Sequence, residues 1–130
     1  MNILAIRTDK PQAELYVYQN GAKTAELKWQ AHRRLAETIN VKIDEILDLL
    51  SISLDSIGGI VCYSGPGSFT GLRIGFSAAN ALAFACDIPV TASGGKDWIQ
   101  GGISDLAAGK FGKIAAPEYG APPRTTKPKK

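Results

Sequence analysis

Apolar and polar positions over the first thirty residues are grouped as they are in a small antiparallel sheet. Residues 2–7 (NILAIR) form an apolar run that stops at a polar turn, and residues 13–18 and 22–29 are rich in strand-forming residues. Asn20-Gly21 separates the second run from the third, and both residues tolerate the positive φ of a tight hairpin turn. The pattern predicts three antiparallel strands.

The spacing of the apolar residues then changes to steps of three and four. Six of them recur at the period of a helix: Leu35, Ile39, Ile43, Ile46, Leu47 and Leu50. Acidic residues lie on or beside the other side, which predicts an amphipathic helix of about four turns. Val41 and Leu49 fall outside the main stripe and widen the apolar surface of this helix.

Three more elements follow along the chain. Residues 57–63 (IGGIVCY) form a compact apolar run that is typical of a strand covered on both faces. Residues 71–85 predict a helix that is apolar nearly all round, which indicates cover on more than one side. Residues 88–92 start a last strand. The order βββαβαβ predicts an α/β fold in which helices pack on a mixed sheet.

The signal weakens beyond the last of these strands. The glycine pairs at 94–95 and 101–102 flank a weak helical stretch, and residues 110–116 have the composition of a short strand. Residues 117–130 contain four prolines and few apolar groups, which predicts an extended or disordered tail. We expect one domain over residues 1–116 and a basic, proline-rich tail over 117–130.

Charge is spread unevenly between these two parts. The tail carries four cations and one carboxylate, which supplies the whole formal net charge of +3, so the remainder of the chain is neutral. A nucleic-acid-binding domain is expected to show its basic residues on the folded face. The basic tail leaves two alternatives open, weak contacts with nucleic-acid phosphates or simple solubilisation.

The two cysteines bear on the compartment. Cys62 and Cys86 lie inside apolar runs without the spacing of metal ligands, so we expect two reduced core thiols. We find no charged start followed by an apolar segment, and no run of about eighteen apolar residues. The pattern favours a cytoplasmic protein that is neither secreted nor membrane-spanning.

The most informative segment is SGPGSFTGLRIG, which occupies residues 64–75 between a buried strand and a helix. Its motif residues are Gly65, Pro66, Gly67, Ser68, Phe69, Thr70, Gly71 and Arg73. Ser68 or Thr70 can cap the helix, and the free N–H groups at that end favour an anion. The segment lacks the Gly-Lys-Ser/Thr of a phosphate loop and the third glycine of a dinucleotide fingerprint. A strand-to-helix turn and a ligand cradle therefore both remain open.

One face of the second helix is formed by small residues and one leucine. The residues on this face are Gly71, Gly75, Ala78, Ala79 and Leu82. A flat groove of this kind lets another backbone approach closely, either a partner helix or the chain's own sheet. The residues alone do not decide between the two.

The glycine-rich segment resembles the long GPGSFTGLRIG signature of the TsaB/YeaZ family. The start NILAIRTD resembles that family's ILAIDTS opening. ELKWQAHRR, the acidic helix and ALAFACDIPV then follow in the family's order and spacing. The resemblance covers residues 1 to about 93.

The resemblance implies a single ribonuclease-H-like domain, similar to those of actin and the Hsp70 ATPase. It implies a non-catalytic scaffold subunit of the bacterial machinery that forms threonylcarbamoyladenosine in tRNA. The implied partners are a TsaD-like catalytic subunit, a TsaE-like ATPase, tRNA through the complex, and a second copy of the chain when the partner is absent. The helices at 34–50 and 71–85 would be the pairing elements. The implied interface residues are Leu35, Ile39, Val41, Leu49, Gly71, Gly75, Ala78, Ala79 and Leu82.

Three departures from the family bear on catalysis and length. Arg7 stands where the family has an aspartate, so the carboxylate that a kinase-like relative uses toward metal and phosphate is missing there. The one histidine, His32, lies three residues before Leu35, which aligns with a histidine often found in the family. The family's second domain is almost missing beyond about residue 100, so the chain resembles a short form.

These departures favour a chain without catalytic residues, metal or cofactor. His32 lies far in sequence from Ser68, and no base–nucleophile pair is visible. The cysteines and His32 form no zinc-ligand cluster. The alternative is an independent nucleotide-binding or hydrolytic enzyme of the actin-like or glycoprotease superfamily, with Asp9 as the one candidate carboxylate at the first strand.

Overall fold

The computed structural model describes residues 1–112, and within them the chain forms a five-stranded mixed sheet with three α-helices. The predicted tail, the domain boundary at residue 116 and most of the strand expected over residues 110–116 lie outside the described residues. Inside them, Gly112 makes an isolated antiparallel bridge with Val90.

The strands are β1 (Asn2–Arg7), β2 (Gln12–Gln19), β3 (Ala22–Gln30), β4 (Ile57–Tyr63) and β5 (Val90–Ser93). They lie side by side in the order β3-β2-β1-β4-β5. β2 pairs antiparallel with both β1 and β3, whereas β4 pairs parallel with both β1 and β5. The predicted antiparallel start and the predicted mixed sheet are confirmed.

The turn between β2 and β3 follows the predicted chemistry. Asn20 has a φ of 54° and Gly21 a φ of 85°, both in the left-handed region. This conformation is inexpensive for asparagine and glycine, and its twist matches that of the flanking strands. The dipeptide therefore fixes the register of the hairpin.

The helices are α1 (Leu35–Leu49), α2 (Phe69–Cys86) and α3 (Trp98–Ala107). Successive residues of β1 point to opposite faces of the sheet: Leu4 and Ile6 face the core formed with α1 and α2, and Ile3 and Ala5 face the core formed with α3. The sheet is thus covered on both faces, as the apolar run of β4 predicts.

Both cysteines are free. Cys62 is buried in β4, and burial raises the pKa of its thiol, so this cysteine is a protonated core residue as predicted. Cys86 is half-buried at the end of α2.

The ends of α2 differ slightly from the prediction. The helix begins at Phe69, two residues early, because Ser68 is its N-cap and the Ser68 hydroxyl accepts a hydrogen bond from the Gly71 N–H at 3.4 Å. Asp87 ends it in a left-handed conformation with a φ of 55°, and β5 starts at Val90 rather than at residue 88. Among helices within residues 1–112, α2 is long and apolar enough to cross a membrane by length and composition alone, which is weak evidence.

The third helix is a regular ten-residue helix, although its sequence predicts only a weak helical stretch. Gly101 and Gly102 lie inside α3, where glycine lowers helix propensity. A Cβ at Gly102 would lie 2.3 Å from Cγ1 of Val61. The missing side chain therefore lets α3 pack directly on β4, and tertiary packing outweighs the poor propensity.

Candidate functional site

Three chain segments that are distant in sequence meet around one cleft of about 670 Å³. The cleft is lined by residues 8–11 after β1, by residues 31–35 at the entry to α1, and by Ser68, Thr70, Gly71 and Ile74 at the start of α2. Backbone hydrogen bonds join these segments. The Ala31 N–H donates to the Pro11 carbonyl oxygen at 2.8 Å, and the Ser68 N–H donates to the Asp9 carbonyl oxygen at 3.3 Å.

The acidic group of the cleft is engaged in an ion pair. Arg7 Nε donates to Asp9 Oδ1 at 2.7 Å, and Arg7 Nη2 donates to Asp9 Oδ2 at 3.3 Å, so one guanidinium holds both carboxylate oxygens. The hydrogen bond with Asp9 is the main cause that raises the pKa of Arg7 above its usual value. The guanidinium also lies 4.0 Å from the centroid of the Tyr63 ring, a cation–π contact that helps to hold it in place.

This arrangement does not suit a divalent cation. Magnesium is bound through carboxylate and other oxygen ligands. Asp9 is the one carboxylate among the described residues that line the cleft, and both of its oxygens already accept hydrogen bonds from Arg7. Within residues 1–112, no group of three or more His, Cys, Asp or Glu side chains is placed to hold a metal ion.

A nucleophile with its base is not assembled here either. His32 and Ser68 both line the cleft, yet no hydrogen bond joins their side chains in the described part of the chain. The Ser68 hydroxyl serves the backbone of α2 instead. His32 is exposed and has a φ of 48°, an uncommon conformation for a residue other than glycine.

The glycine loop is fastened to the ends of β1 and β4. The Tyr63 hydroxyl donates to the Pro66 carbonyl oxygen at 2.7 Å. A Cβ at Gly67 would lie 2.3 Å from Cβ of Asp9, so the loop needs glycine at this contact. Gly65 is buried and has a φ of 121°, which favours glycine there as well. These contacts explain the loop as a tight strand-to-helix turn, one end of which lines the cleft.

Two of the motif residues point away from the lining of the cleft. Phe69 and Arg73 are exposed, and the Arg73 guanidinium lies 5.5 Å from the centroid of the Phe69 ring. Neither residue is among those that line the cleft.

The small-residue face of α2 packs against the chain's own sheet. A Cβ at Gly71 would lie 2.1 Å from the backbone oxygen of Thr8, and a Cβ at Gly75 would lie 2.2 Å from Thr8 Oγ1. Ala79 is 0% exposed. The assignment of Gly71, Gly75 and Ala79 to a partner interface is therefore corrected: their lack of bulk brings α2 close to the end of β1.

The predicted interface residues of α1 divide into two groups. Leu35 and Ile39 are core residues, 5% and 2% exposed, because the main stripe of α1 faces the sheet, and their assignment to an interface is likewise corrected. Val41 and Leu49 are 62% and 63% exposed, so their side chains are open to a partner. Sequence periodicity already set these two apart from the main stripe.

A different side of α2 offers a continuous apolar surface. Ala78, Ala81, Leu82 and Ala85 are spaced as i, i+3, i+4 and i+7 and therefore share one side of the helix, which we call the outer α2 face. Ala81 and Ala85 are exposed, and Ala78 and Leu82 are half-buried. The spacing of these four residues is visible in the sequence. Because α2 is apolar nearly all round, however, the outer α2 face cannot be distinguished until the side that packs on the sheet is known.

Sequence reasoning also missed a group of cations at the cleft. Lys10, Arg33 and Arg34 line it and are exposed, and we call these three residues the cationic rim. Lys10 and Arg34 make only long ion pairs, at 3.8 Å with Glu14 and 3.6 Å with Glu37. Arg33 makes no ion pair within residues 1–112. The equal numbers of cations and carboxylates in residues 1–116 concealed this local group, which joins Lys10 to the adjacent Arg33 and Arg34 from a distant part of the sequence.

Comparisons of sequence show which known proteins this chain is similar to. A family profile described as "TsaD: tRNA N6-adenosine threonylcarbamoyltransferase" matches residues 29–92. The "tRNA threonylcarbamoyladenosine biosynthesis protein TsaB" of Haemophilus influenzae is 34% identical over 90 residues, which cover 69% of this chain and 38% of that protein. The "tRNA N6-adenosine threonylcarbamoyltransferase" of Geobacter metallireducens is 40% identical over 76 residues, covering 58% of this chain and 21% of that protein. The chain thus spans less than half the length of these relatives.

Comparisons of structure agree with the sequence. The structure described as "YeaZ from Pseudomonas aeruginosa" superposes with a TM-score of 0.66 at 27% identity, over 72% of this chain and 43% of that chain. The RuvC structure from Thermus thermophilus superposes with a TM-score of 0.50 at 16% identity, over 72% of this chain and 64% of that chain, which shows the fold alone. The predicted ribonuclease-H-like fold is confirmed.

Proposed function

The chain belongs to the TsaB/YeaZ family, and from this premise we propose that it is a non-catalytic subunit of the bacterial machinery that forms threonylcarbamoyladenosine in tRNA. It pairs with a TsaD-like catalytic subunit through the outer α2 face and stimulates that subunit. A TsaE-like ATPase joins the pair, tRNA is reached through the complex, and the assembly works in the cytoplasm.

The observation that carries the proposal is the exposure of an apolar helix. Five of the 18 residues of α2 are buried, whereas the apolar Ala81 and Ala85 of the outer α2 face are exposed to solvent. Contiguous exposed apolar surface marks sites of protein association. The profile named for TsaD matches a stretch that contains both α1 and α2, so a TsaD-like partner would carry a related pair of helices. Two related folds can pair through corresponding faces in a pseudo-symmetric way.

The absence of independent catalysis rests on the ion pair in the cleft. A phosphoryl-transfer site places carboxylates to hold a metal ion at the phosphates. Asp9 is held on both oxygens by Arg7 and is not free for that role. The isolated chain is therefore expected neither to hydrolyse ATP nor to modify tRNA.

A single charge on the outer α2 face tests the pairing. Ala81→Arg places a cation on an exposed position of this face, where a partner would bury it without a counter-charge. We expect its Kd for the TsaD-like subunit to rise by about tenfold or more, because an unpaired charge in an interface costs well over 1 kcal/mol. Calorimetry measures the affinity, and a reconstituted assay with the TsaE-like protein, tRNA and ATP measures stimulation.

The matched control is Ala107→Arg, the same change at an exposed position of α3 on the other face of the sheet. It should bind and stimulate like the unmodified chain, and both variants should keep its melting temperature. Equal binding of Ala81→Arg and Ala107→Arg would contradict pairing through the outer α2 face. Modification of tRNA by the isolated chain would instead favour the alternative of an independent enzyme.

A further inference from the structure

The cleft is large enough for a small ligand, and its lining has an apolar part and a positively charged part. Its volume of about 670 Å³ lies within the range of ordinary small-molecule sites. Half-buried Ile74 supplies apolar surface from α2, and the buried side chains of Ala31 and Leu35 line the cleft beside it. A flat, weakly polar group such as a nucleobase is suited to such a wall.

The polar groups of the cleft favour an anion. The cationic rim brings three positive charges to the lining, and Arg33 has no ion-pair partner within the described chain. The Thr70 hydroxyl also lines the cleft and makes no hydrogen bond there with another described residue. A guanidinium with its hydrogen bonds unmade and a free hydroxyl together match the oxygens of a phosphate.

The single negative charge of the lining does not oppose such an anion. Both oxygens of Asp9 accept hydrogen bonds from Arg7, and the residue is 8% exposed. The ion pair cancels the charge locally and occupies the groups that would recruit a metal ion. A phosphate here would meet protein cations instead of magnesium.

From these features together we infer that the cleft binds a free nucleotide, with its phosphate on the cationic rim and its base against the apolar wall, without a metal ion. This ligand site is distinct from the outer α2 face and does not depend on the proposed function. Because the carboxylate is engaged and no base–nucleophile pair is present among the described residues, the bound nucleotide is not hydrolysed.

The test uses AMP as the probe, with calorimetry on the full chain in buffer that contains EDTA. We expect saturable binding of AMP, at least tenfold weaker binding of adenosine, and no change in the Kd for AMP when excess Mg²⁺ replaces the EDTA. Arg33→Gln should raise that Kd by about tenfold, because it removes charge-assisted hydrogen bonds to the phosphate.

Arg73→Gln is the matched control, since Arg73 is an exposed arginine of α2 that does not line the cleft. It should change the Kd for AMP by less than twofold. Arg33 is exposed, so its substitution is not expected to alter folding, and the melting temperature of both variants checks this.

Four outcomes would overturn the inference. They are no binding of AMP at millimolar concentration, equal binding of AMP and adenosine, equal effects of Arg33→Gln and Arg73→Gln, and a requirement for Mg²⁺. A short single-stranded RNA that binds tightly while AMP does not would assign the cationic rim to a nucleic-acid surface and would also overturn it.

Discussion

Gly71 shows how one missing side chain positions a whole helix. Thr8 Oγ1 donates to the Gly71 carbonyl oxygen at 2.7 Å, and the Thr8 backbone oxygen occupies the space that a Cβ at Gly71 would need. The side-chain hydrogen bond and the close backbone contact together tie the start of α2 to the end of β1.

Gly71→Ala should therefore destabilise the fold despite the higher helix propensity of alanine. Relief of the 2.1 Å contact requires a backbone shift, and we expect a net loss of about 1–3 kcal/mol of unfolding free energy. Urea denaturation measures it. Gly101→Ala is the control, because its Cβ would meet only the end of a side chain, Ser93 Oγ at 3.1 Å, which a small movement relieves, so this variant should be neutral or slightly more stable. A Gly71→Ala protein as stable as the parent would refute the close contact.

At the scale of elements, one side of α2 packs on the sheet and the other side is open to a partner. Gly75 and Ala79 lie on the packed side, and Ala81 and Ala85 lie on the open side. An apolar helix alone does not tell which side faces the sheet, because a stripe of small residues fits both the chain's own backbone and a partner's.

Ala79→Leu and Ala81→Leu test which side of α2 packs on the sheet. Ala79 is 0% exposed, so three added carbon atoms overpack the core and should cost about 1–3 kcal/mol of unfolding free energy. The same change at exposed Ala81 should leave the unfolding free energy within about 0.5 kcal/mol of the parent. Thermal melting of the isolated chain compares the two. Equal melting temperatures would place Ala79 outside the core.

The strands and the first two helices are predictable because short-range patterns determine them. The Asn20-Gly21 turn and the spacing of apolar residues in α1 depend on neighbours a few positions away. α3 is not predictable in this way, because its stability depends on the contact between Gly102 and Val61, about forty residues apart in sequence. Where local helix propensity is poor, the tertiary contact determines the secondary structure.

At the scale of the whole molecule, the cleft could not be predicted from sequence. Its walls come from residues 8–11, from residues 31–35, and from Ser68, Thr70, Gly71 and Ile74, and no local pattern brings these three segments together. The Arg7–Asp9 pair illustrates the limit: the sequence shows an arginine two residues before a carboxylate, and the structure adds that the guanidinium holds both oxygens of that carboxylate.

Because α2 borders both the cleft and the outer α2 face, binding at one site is expected to affect binding at the other. Ile74 lines the cleft, and Ala78 begins the outer α2 face one turn later, so a nucleotide and a partner would act on the same rigid element. We expect AMP to shift the Kd for the TsaD-like subunit by about fivefold, a typical size of coupling between sites. Thermodynamic linkage then requires the subunit to shift the Kd for AMP by the same factor. Unequal factors in the two titrations would mean that they do not report one coupled equilibrium, and a factor of one in both would mean that α2 carries no signal between its two ends.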